Sequence, residues 1–187
     1  MTREHLRPAL ALVALVAGAC RPGDSTNGSG RPGASPGPPP ARVAGEFVAA
    51  HNEVRAAVEE PPGYPGTWEP LPPVSWSGDL AASAQSWADR LRDGHGCRLV
   101  HDRDSRYGEN LAAGTHLSPA AAVRMWASER DGYAFEPAYR FVAGHYTQIV
   151  WRDSVEIGCG GATCADGVRV ICCRYAPPGN VLGRRPY

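Results

Sequence analysis

The side chains with the greatest capacity for chemistry in this sequence are its histidines and a few of its glutamates. Imidazole nitrogens and carboxylate oxygens bind borderline divalent cations such as Zn²⁺, and the same groups transfer protons near neutral pH. The candidates are His51, His95, His101, Glu109, His116, Glu129 and His145. Because the chain has no HExxH pair and no Walker-type phosphate loop, spacing alone does not separate a functional role from a surface or capping role.

Cysteines form the second group of reactive side chains. The six are Cys20, Cys97, Cys159, Cys164, Cys172 and Cys173. Cys172 and Cys173 are adjacent on a predicted strand, so their side chains point to opposite faces of a sheet. A zinc ribbon needs two cysteine pairs with short spacers, which this spacing does not provide. Disulfides in an exported protein are the favoured interpretation, and if Cys20 carries lipid, at least one of the other five stays unpaired.

Residues 1–19 are predicted to be a signal peptide. An apolar run from Ala9 to Ala19 follows a weakly basic start. It is too short for a membrane-spanning helix, which needs about 20 residues, and it has the length of a signal-peptide core. The stretch from Ala17 to Cys20 resembles the lipobox of bacterial lipoproteins, which predicts a lipid anchor on Cys20. The alternative is plain secretion, with Cys20 merely close to the cleavage site.

Residues 20–42 are predicted to hold the anchor cysteine and a flexible linker. Proline, glycine and serine fill 14 of the 21 positions from Arg21 to Ala41. Such a segment buries too little apolar surface to offset the entropy of ordering it. A flexible chain of this length spans roughly 25 Å, enough to hold a domain away from a membrane surface. That domain is predicted at residues 43–187.

The balance of charges excludes one class of function. Nineteen arginines, with no lysine, are matched by 19 acidic residues, so the formal net charge is zero. A dedicated nucleic-acid binder needs a basic surplus or patch, so no nucleic-acid partner is expected. Hydrophobic residues make up 43% of the chain, which is enough for most of it to fold around a core.

Helical patterns precede strand patterns along the domain. Apolar spacing predicts a helix from Glu46 to Val58 and a second one along Leu80, Ala84, Trp87 and Leu91, capped by Ser77 or Asp79. Ser118 and Pro119 are typical of the start of a third helix. The β-rich runs are Tyr146–Trp151, Val155–Cys159 and Val168–Tyr175. This order predicts an α+β fold, with helices covering an antiparallel sheet.

Seven ordered motifs carry a family resemblance. They are HNEVR from His51, CRLVHD from Cys97, YGENLA from Tyr107, MWASE from Met125, GHYTQIVW from Gly144, IGCGGATC from Ile157 and CRYAPPGNVLGRRPY from Cys173. Together they resemble the CAP superfamily of cysteine-rich secretory proteins, venom antigens and pathogenesis-related class 1 proteins, and the plant type most of all. Two features depart from that pattern. The chain has no cysteine just before GHYTQ, and its loop from Glu60 to Pro73 is long. The aromatic residues of this loop, Tyr64 and Trp68, are expected to fold back over the core, with exposed contacts as the alternative.

The resemblance implies an α–β–α sandwich with a central antiparallel sheet between helical layers. It implies that His101, Glu109, Glu129 and His145 meet in one open cleft, where two imidazoles and two carboxylates suit Zn²⁺ or another divalent cation. The alternative is a polar plug that joins the third helix to the sheet. By analogy the disulfides are Cys97–Cys164 and Cys159–Cys173, with Cys172 free.

The function that this resemblance implies is binding. We expect a monomeric, extracellular or envelope-held CAP domain that is not an enzyme and binds a lipid, a sterol or a partner, touching the membrane only through its N-terminal anchor. The alternative is a metal-dependent hydrolase or protease that uses the same cleft, with Zn²⁺ activating water. A third interpretation is a purely structural adhesion module at the cell surface.

Overall fold

The computed structural model describes residues 39–135 and 143–187. The predicted signal peptide, Cys20 and most of the predicted linker lie outside these residues. Four α-helices are found there: α1 (Ala41–Ala56), α2 (Gly78–Gly94), α3 (Pro119–Ala127) and α4 (Gly144–Ile149). A 3₁₀ helix at Ser128–Gly132 extends α3. The strands are β1 (Ser75–Trp76), β2 (Gly108–Thr115), β3 (Glu156–Thr163) and β4 (Val168–Ala176).

One four-stranded sheet has the order β1-β3-β4-β2. Strands β2, β4 and β3 are antiparallel neighbours, which is the core of the expected antiparallel sheet. The sheet is nevertheless mixed, because the two-residue strand β1 pairs in parallel with β3 at one edge. Strand β2 forms the other edge, and its register places Glu109 opposite Arg174.

Successive side chains of the strands point to opposite faces of the sheet, and a layer of helices packs against each face. Cys172 packs with α2 residues such as Trp87 and Leu91. Its neighbour Cys173 points to the other face and joins a larger core with α1, α3 and α4, which includes Phe47 and Trp126. The architecture is therefore the α–β–α sandwich that the resemblance implied.

Helix α2 lies unusually close to β3, and glycine makes this possible. A Cβ atom on Gly158 would meet the backbone of Leu80 and Ala81, and one on Gly160 would meet the backbone of Gln85. The Gln85 side chain also bonds the backbone of β3, accepting from the amide of Gly161 and donating to its carbonyl, each at 3.1 Å. The IGCGG sequence thus brings a helix against the strand with no side chain between them.

Helix boundaries follow local capping rules in two cases. The Ser77 hydroxyl accepts from the Leu80 amide, which selects Ser77 over Asp79 as the cap of α2. Ser118 caps α3 in the same way, with Pro119 in the first turn. Helix α1 starts at Ala41, directly after Pro40 and before the predicted start at Glu46.

The predicted strand at Tyr146–Trp151 is wrong, because most of this segment forms α4. Two distant charged groups stabilise the helix ends. The carboxylate of Glu129 accepts from the backbone amides of His145 and Tyr146 at the N-terminus. The guanidinium of Arg55 donates to the carbonyls of Ile149 and Trp151 at the C-terminus. Such contacts override the β-propensity of the segment.

The long loop and the C-terminal segment pack together. Tyr64 and Trp68 are half-buried, and their rings meet edge to face with centroids 5.0 Å apart. This agrees with the expectation that both residues fold back over the core. Trp68 also contacts Tyr187 at 5.8 Å, and Arg152 donates to the carbonyl of Pro70. None of the helices in the described residues is both long and apolar enough to cross a membrane.

Candidate functional site

The first histidine–glutamate pair joins the loop after α2 to the start of β2. Nδ1 of His101 lies 2.6 Å from Oε1 of Glu109, so the ring donates this hydrogen bond to the carboxylate. The imidazole is 65% exposed, whereas the carboxylate is only 7% exposed. Glu109 is held from beneath, since its second oxygen lies 2.6 Å from Nη1 of the buried Arg174.

The second pair joins the 3₁₀ helix to α4. Nδ1 of His145 lies 2.6 Å from Oε1 of Glu129, and both side chains are about one-third exposed. Trp126 lies beside the imidazole in near-parallel orientation at 6.4 Å. Its own Nε1–H donates to the Leu111 carbonyl on β2 at 2.8 Å. The buried Trp126 therefore anchors the segment that carries Glu129.

The two pairs are connected through β2. Asn110, the residue after Glu109, donates from Nδ2 to the His145 carbonyl at 3.0 Å. The structure thus pairs His101 with Glu109 and His145 with Glu129, and the hydrogen bond from Asn110 connects the second pair to the strand that carries Glu109.

Each pair leaves the same ring nitrogen available. A carboxylate that accepts from Nδ1 fixes the neutral imidazole in the tautomer whose Nε2 carries the lone pair, which is the arrangement found behind many metal-binding histidines. The hydrogen bond to Glu109 raises the pKa of His101, while burial and the charge of Arg174 oppose this effect. Across residues 39–135 and 143–187, no three histidine, cysteine, aspartate or glutamate side chains are grouped as a metal site.

The other candidate histidines have different surroundings. His51 is fully buried, with Nδ1 on the Phe47 carbonyl and Nε2 on the Tyr175 hydroxyl. His95 lies beside Trp87, and His116 is exposed on the turn after β2.

Arg174, Asp102 and Asn110 contact the site, although they were not among the predicted site residues. Arg174 bridges Asp102 and Glu109, and Asn110 binds the backbone of His145. An available signal was Arg174, one of two arginines in the otherwise apolar run of β4, because a buried arginine requires acidic partners.

The described cysteines form two disulfides, Cys97–Cys164 and Cys159–Cys173, the pairs that the resemblance implied. Cys172 is free and fully buried. Burial, followed by the nearby charge of Glu109, raises the pKa of its thiol well above the usual range. The thiol is therefore protonated and weakly nucleophilic at neutral pH.

A separate groove runs between α1 and α3. Its volume is about 330 Å³. The lining combines apolar and small residues with charges at the rim: Ala50, Glu53, Val54, Ala57, Ala120, Val123, Arg124, Ala127, Arg130 and Tyr146. Arg124 and Arg130 are exposed, so the α3 side of the groove presents two guanidinium groups.

A disulfide-linked helix–sheet–helix sandwich carrying paired histidines and glutamates defines the class of protein. The family model described as "CAP: Cysteine-rich secretory protein family" matches residues 48–175. The chain belongs to this family. Membership of a secretory family and the two disulfides together indicate an extracellular location for the domain.

Plant proteins are among its relatives. A PR-1 type pathogenesis-related protein of Sambucus nigra is 45% identical over 147 residues, covering 76% of this chain and 80% of the relative. Pathogenesis-related protein 1C of Nicotiana tabacum is 41% identical, with coverage of 76% and 79%.

Solved structures share the fold. BmVAL-1 is 27% identical with a TM-score of 0.60, covering 83% of this chain and 85% of that chain. NaASP2, solved with Zn²⁺, is 20% identical with a TM-score of 0.62, covering 79% and 86%.

Proposed function

We propose that this protein is a non-enzymatic CAP domain that binds a single-chain anionic lipid in the groove between α1 and α3. The observation that carries the proposal is the combination of an apolar floor, which includes Val123, with Arg124 and Arg130 at the rim, where they outnumber the one carboxylate, Glu53. An acyl chain would lie on the floor, and its carboxylate or phosphate would meet the guanidinium groups. The volume of about 330 Å³ lies at the small end of the range for ligand sites.

Oleate provides a direct test, because it has one acyl chain and one carboxylate. We expect saturable binding of oleate by calorimetry, and a loss of at least tenfold in affinity for Ala50→Phe, which fills the groove. Ala49→Phe is the matched control, since Ala49 is exposed on the same helix and does not line the groove.

A second substitution tests the head-group contact. Arg124→Gln should weaken oleate binding, because the carboxylate of oleate loses one of the two guanidinium groups at the rim. Equal oleate affinity in wild type and Ala50→Phe would reject the groove. Binding of cholesterol but not of oleate would mean that the groove holds a sterol and not an anionic lipid.

The histidine–glutamate pairs support a second binding property. We propose that the cleft holds Zn²⁺ or a similar divalent cation through Nε2 of His101 and of His145, while Glu109 and Glu129 orient the rings from Nδ1. The donor set fits, because both imidazoles present a free Nε2 backed by a carboxylate. A bound cation would act as a Lewis acid there. Micromolar Zn²⁺ binding should be lost in His101→Ala and in His145→Ala, and equal uptake by all three proteins would reject this assignment.

A metal-dependent hydrolase is the second candidate function. The proposed pair of histidine ligands would leave coordination positions open, which a catalytic metal site requires. We expect no peptide turnover. Zn²⁺-dependent peptide cleavage that disappears in Glu109→Gln would establish the hydrolase in place of the binding module.

For the N-terminus we propose that the signal sequence exports the domain and that a lipid on Cys20 holds it at the membrane through the linker. The support is the lipobox-like stretch from Ala17 to Cys20 and the composition that follows it. Intact-mass analysis of wild type and Cys20→Ala tests this. An acyl mass on wild type alone supports the anchor, and its absence from both indicates plain secretion.

A further inference from the structure

Arg174 is a buried cation placed between the carboxylates of Glu109 and Asp102. It lies on β4 directly opposite Glu109 on β2, and its side chain is only 1% exposed. Nη1 lies 2.6 Å from Oε2 of Glu109, and Nη2 lies 2.6 Å from Oδ2 of Asp102. One guanidinium therefore neutralises the carboxylate beneath His101 and also fixes the loop residue that follows His101.

The surroundings of Glu109 occupy both of its oxygens. Oε1 accepts from the His101 ring at 2.6 Å and from the Asp102 amide at 3.3 Å. Oε2 faces Arg174, and the Cys172 thiol lies 3.7 Å from it. To bind a cation directly, Glu109 would have to break a buried ion pair and leave a guanidinium without its partner, which is strongly unfavourable.

The second pair differs in this respect. Among the described residues, no ion pair joins Glu129 to an arginine, and its carboxylate accepts hydrogen bonds from the His145 ring and from the amides of His145 and Tyr146. Glu129 is also more exposed than Glu109, at 33% against 7%. Each glutamate thus supports a histidine, but only Glu109 is also paired with a buried arginine.

We propose that Arg174 is a positioning residue that keeps Glu109 behind His101 and out of the coordination shell of a cation in the cleft. The cation is then held at this side by the imidazole Nε2 alone, and coordination positions remain open for an oxygen ligand. This inference rests on the proposed cation site, and is independent of the lipid groove.

The experiment titrates Co²⁺ into wild type and Arg174→Gln and records its visible absorption, which strengthens as coordination falls from six towards four. Wild type should bind in the micromolar range with weak absorption. Arg174→Gln frees Glu109 and removes a positive charge, so its affinity should rise at least tenfold and its absorption should strengthen. Unchanged affinity and spectrum in Arg174→Gln would overturn the proposal, while the cation site would stand.

Two further variants separate coordination by Glu109 from simple loss of charge. In the Glu109→Gln background, Arg174→Gln should no longer strengthen the absorption, because no carboxylate is available to join the metal. Arg169→Gln is the matched control. It removes one positive charge from the same strand, where Arg169 contacts the Leu117 carbonyl, and it should leave the titration unchanged. A spectral gain that persists without Glu109, or that Arg169→Gln reproduces, would also overturn the proposal.

Arg174→Lys covers the case in which Arg174→Gln does not fold. A lysine retains the charge but cannot bridge two carboxylates with a planar fork, so an intermediate affinity and spectrum are expected. Wild-type behaviour of this variant would then count against the positioning role. Failure of wild type itself to take up Co²⁺ and Zn²⁺ would remove the cation site and this inference together, and leave oleate binding as a separate result.

Discussion

The His51 imidazole and the Tyr175 hydroxyl form a hydrogen bond of 2.8 Å in the interior of the protein. The other ring nitrogen of His51 lies 2.7 Å from the Phe47 carbonyl, which can only accept. Nδ1 therefore carries the proton, and the Tyr175 hydroxyl donates to Nε2. Asn110 donates to the same hydroxyl at 3.1 Å and to the His145 carbonyl at 3.0 Å. A buried chain of hydrogen bonds thus connects α1 to the backbone of the candidate cation site.

Because His51 is part of this chain of hydrogen bonds, the stability of the protein depends on pH. Burial lowers the pKa of His51 from 6.5 to about 4, opposed by the bond to Phe47. Between these values the unfolded chain binds the proton and the folded protein does not, so stability falls as the pH drops from 6.5 towards 4. The loss attributable to His51 should approach about 3 kcal/mol at pH 4.

Urea unfolding at several pH values checks this prediction. The free energy of unfolding should fall more steeply with acidification in wild type than in His51→Gln, which cannot titrate. The His51→Gln variant is needed as a reference because the titration of His101 has the opposite effect on stability. Its raised pKa adds stability below the unfolded value of 6.5, which is lost as the pH rises through the folded pKa. Parallel pH profiles for wild type and His51→Gln would contradict the assignment.

The local signals of the sequence were sufficient for three helices and two strands. Ser77 and Ser118 cap helices as their residue types predict, and β3 and β4 overlap the β-rich runs that begin at Val155 and Val168. Strand β2 was not predicted, because GENLAAGT contains one β-branched residue and several small ones and therefore has a low β-propensity. Its pairing with β4 stabilises the strand in spite of this. Helix α4 was missed since its stabilising partners, Glu129 and Arg55, lie outside any local window.

The candidate site could be predicted only through the motif resemblance. His101 and His145 are separated by 44 positions, and no spacing rule connects them. What the sequence could not provide was the orientation of each glutamate, whose carboxylate accepts a hydrogen bond from Nδ1 of its histidine. That orientation depends on Arg174 beneath Glu109 and on the backbone amides of α4 around Glu129.

Arg55 should be among the largest single contributors to stability. Its buried guanidinium donates to four backbone carbonyls, those of Pro72, Ile149, Trp151 and Arg152. Burial, followed by the charge of Arg152, lowers the pKa of Arg55 to about 10, so the group remains charged at neutral pH. Arg55→Met should lower the free energy of unfolding by about 3–5 kcal/mol, because the carbonyls lose their donors.

Chemical denaturation of two further variants tests the cause. Arg55→Lys retains the charge but cannot reach all four carbonyls, so it should lose about 2–3 kcal/mol. Arg42→Met, on the exposed face of the same helix, should change stability by less than about 0.5 kcal/mol. A loss of similar size at Arg42 and Arg55 would contradict the explanation.

Gly158 should not tolerate a methyl group. A Cβ there would overlap the backbone of Leu80 and Ala81, and neither a helix nor a central strand can yield as a flexible side chain would. Gly158→Ala should lower the free energy of unfolding by about 3 kcal/mol or more. In Gly114→Ala, on β2, the new methyl meets Leu117 at an ordinary 3.7 Å, and thermal unfolding should detect little change. Equal melting temperatures for the two variants would show that α2 can move away from β3.

The two disulfides should differ in their resistance to reduction. Cys97 is half-buried, near the start of the loop that follows α2, whereas Cys159 and Cys173 are fully buried between sheet and helices. Because thiolate attack requires access to sulfur, a mild reductant should open Cys97–Cys164 first while the protein is folded. That bridge spans a sequence separation of 67, so its loss should lower stability by about 4 kcal/mol in the chain-entropy description.

Timed reduction, alkylation and peptide mapping measure the order. Cys97 and Cys164 should be labelled in the native protein, and Cys159 and Cys173 only after denaturant is added. Cys172 serves as the internal control, because a fully buried thiol with a raised pKa should react only on unfolding. Early labelling of Cys172 together with Cys97 would mean that the α2 face of the sheet opens in the native state. Early labelling of Cys159 would contradict the predicted order, since the larger core would then be the more accessible of the two.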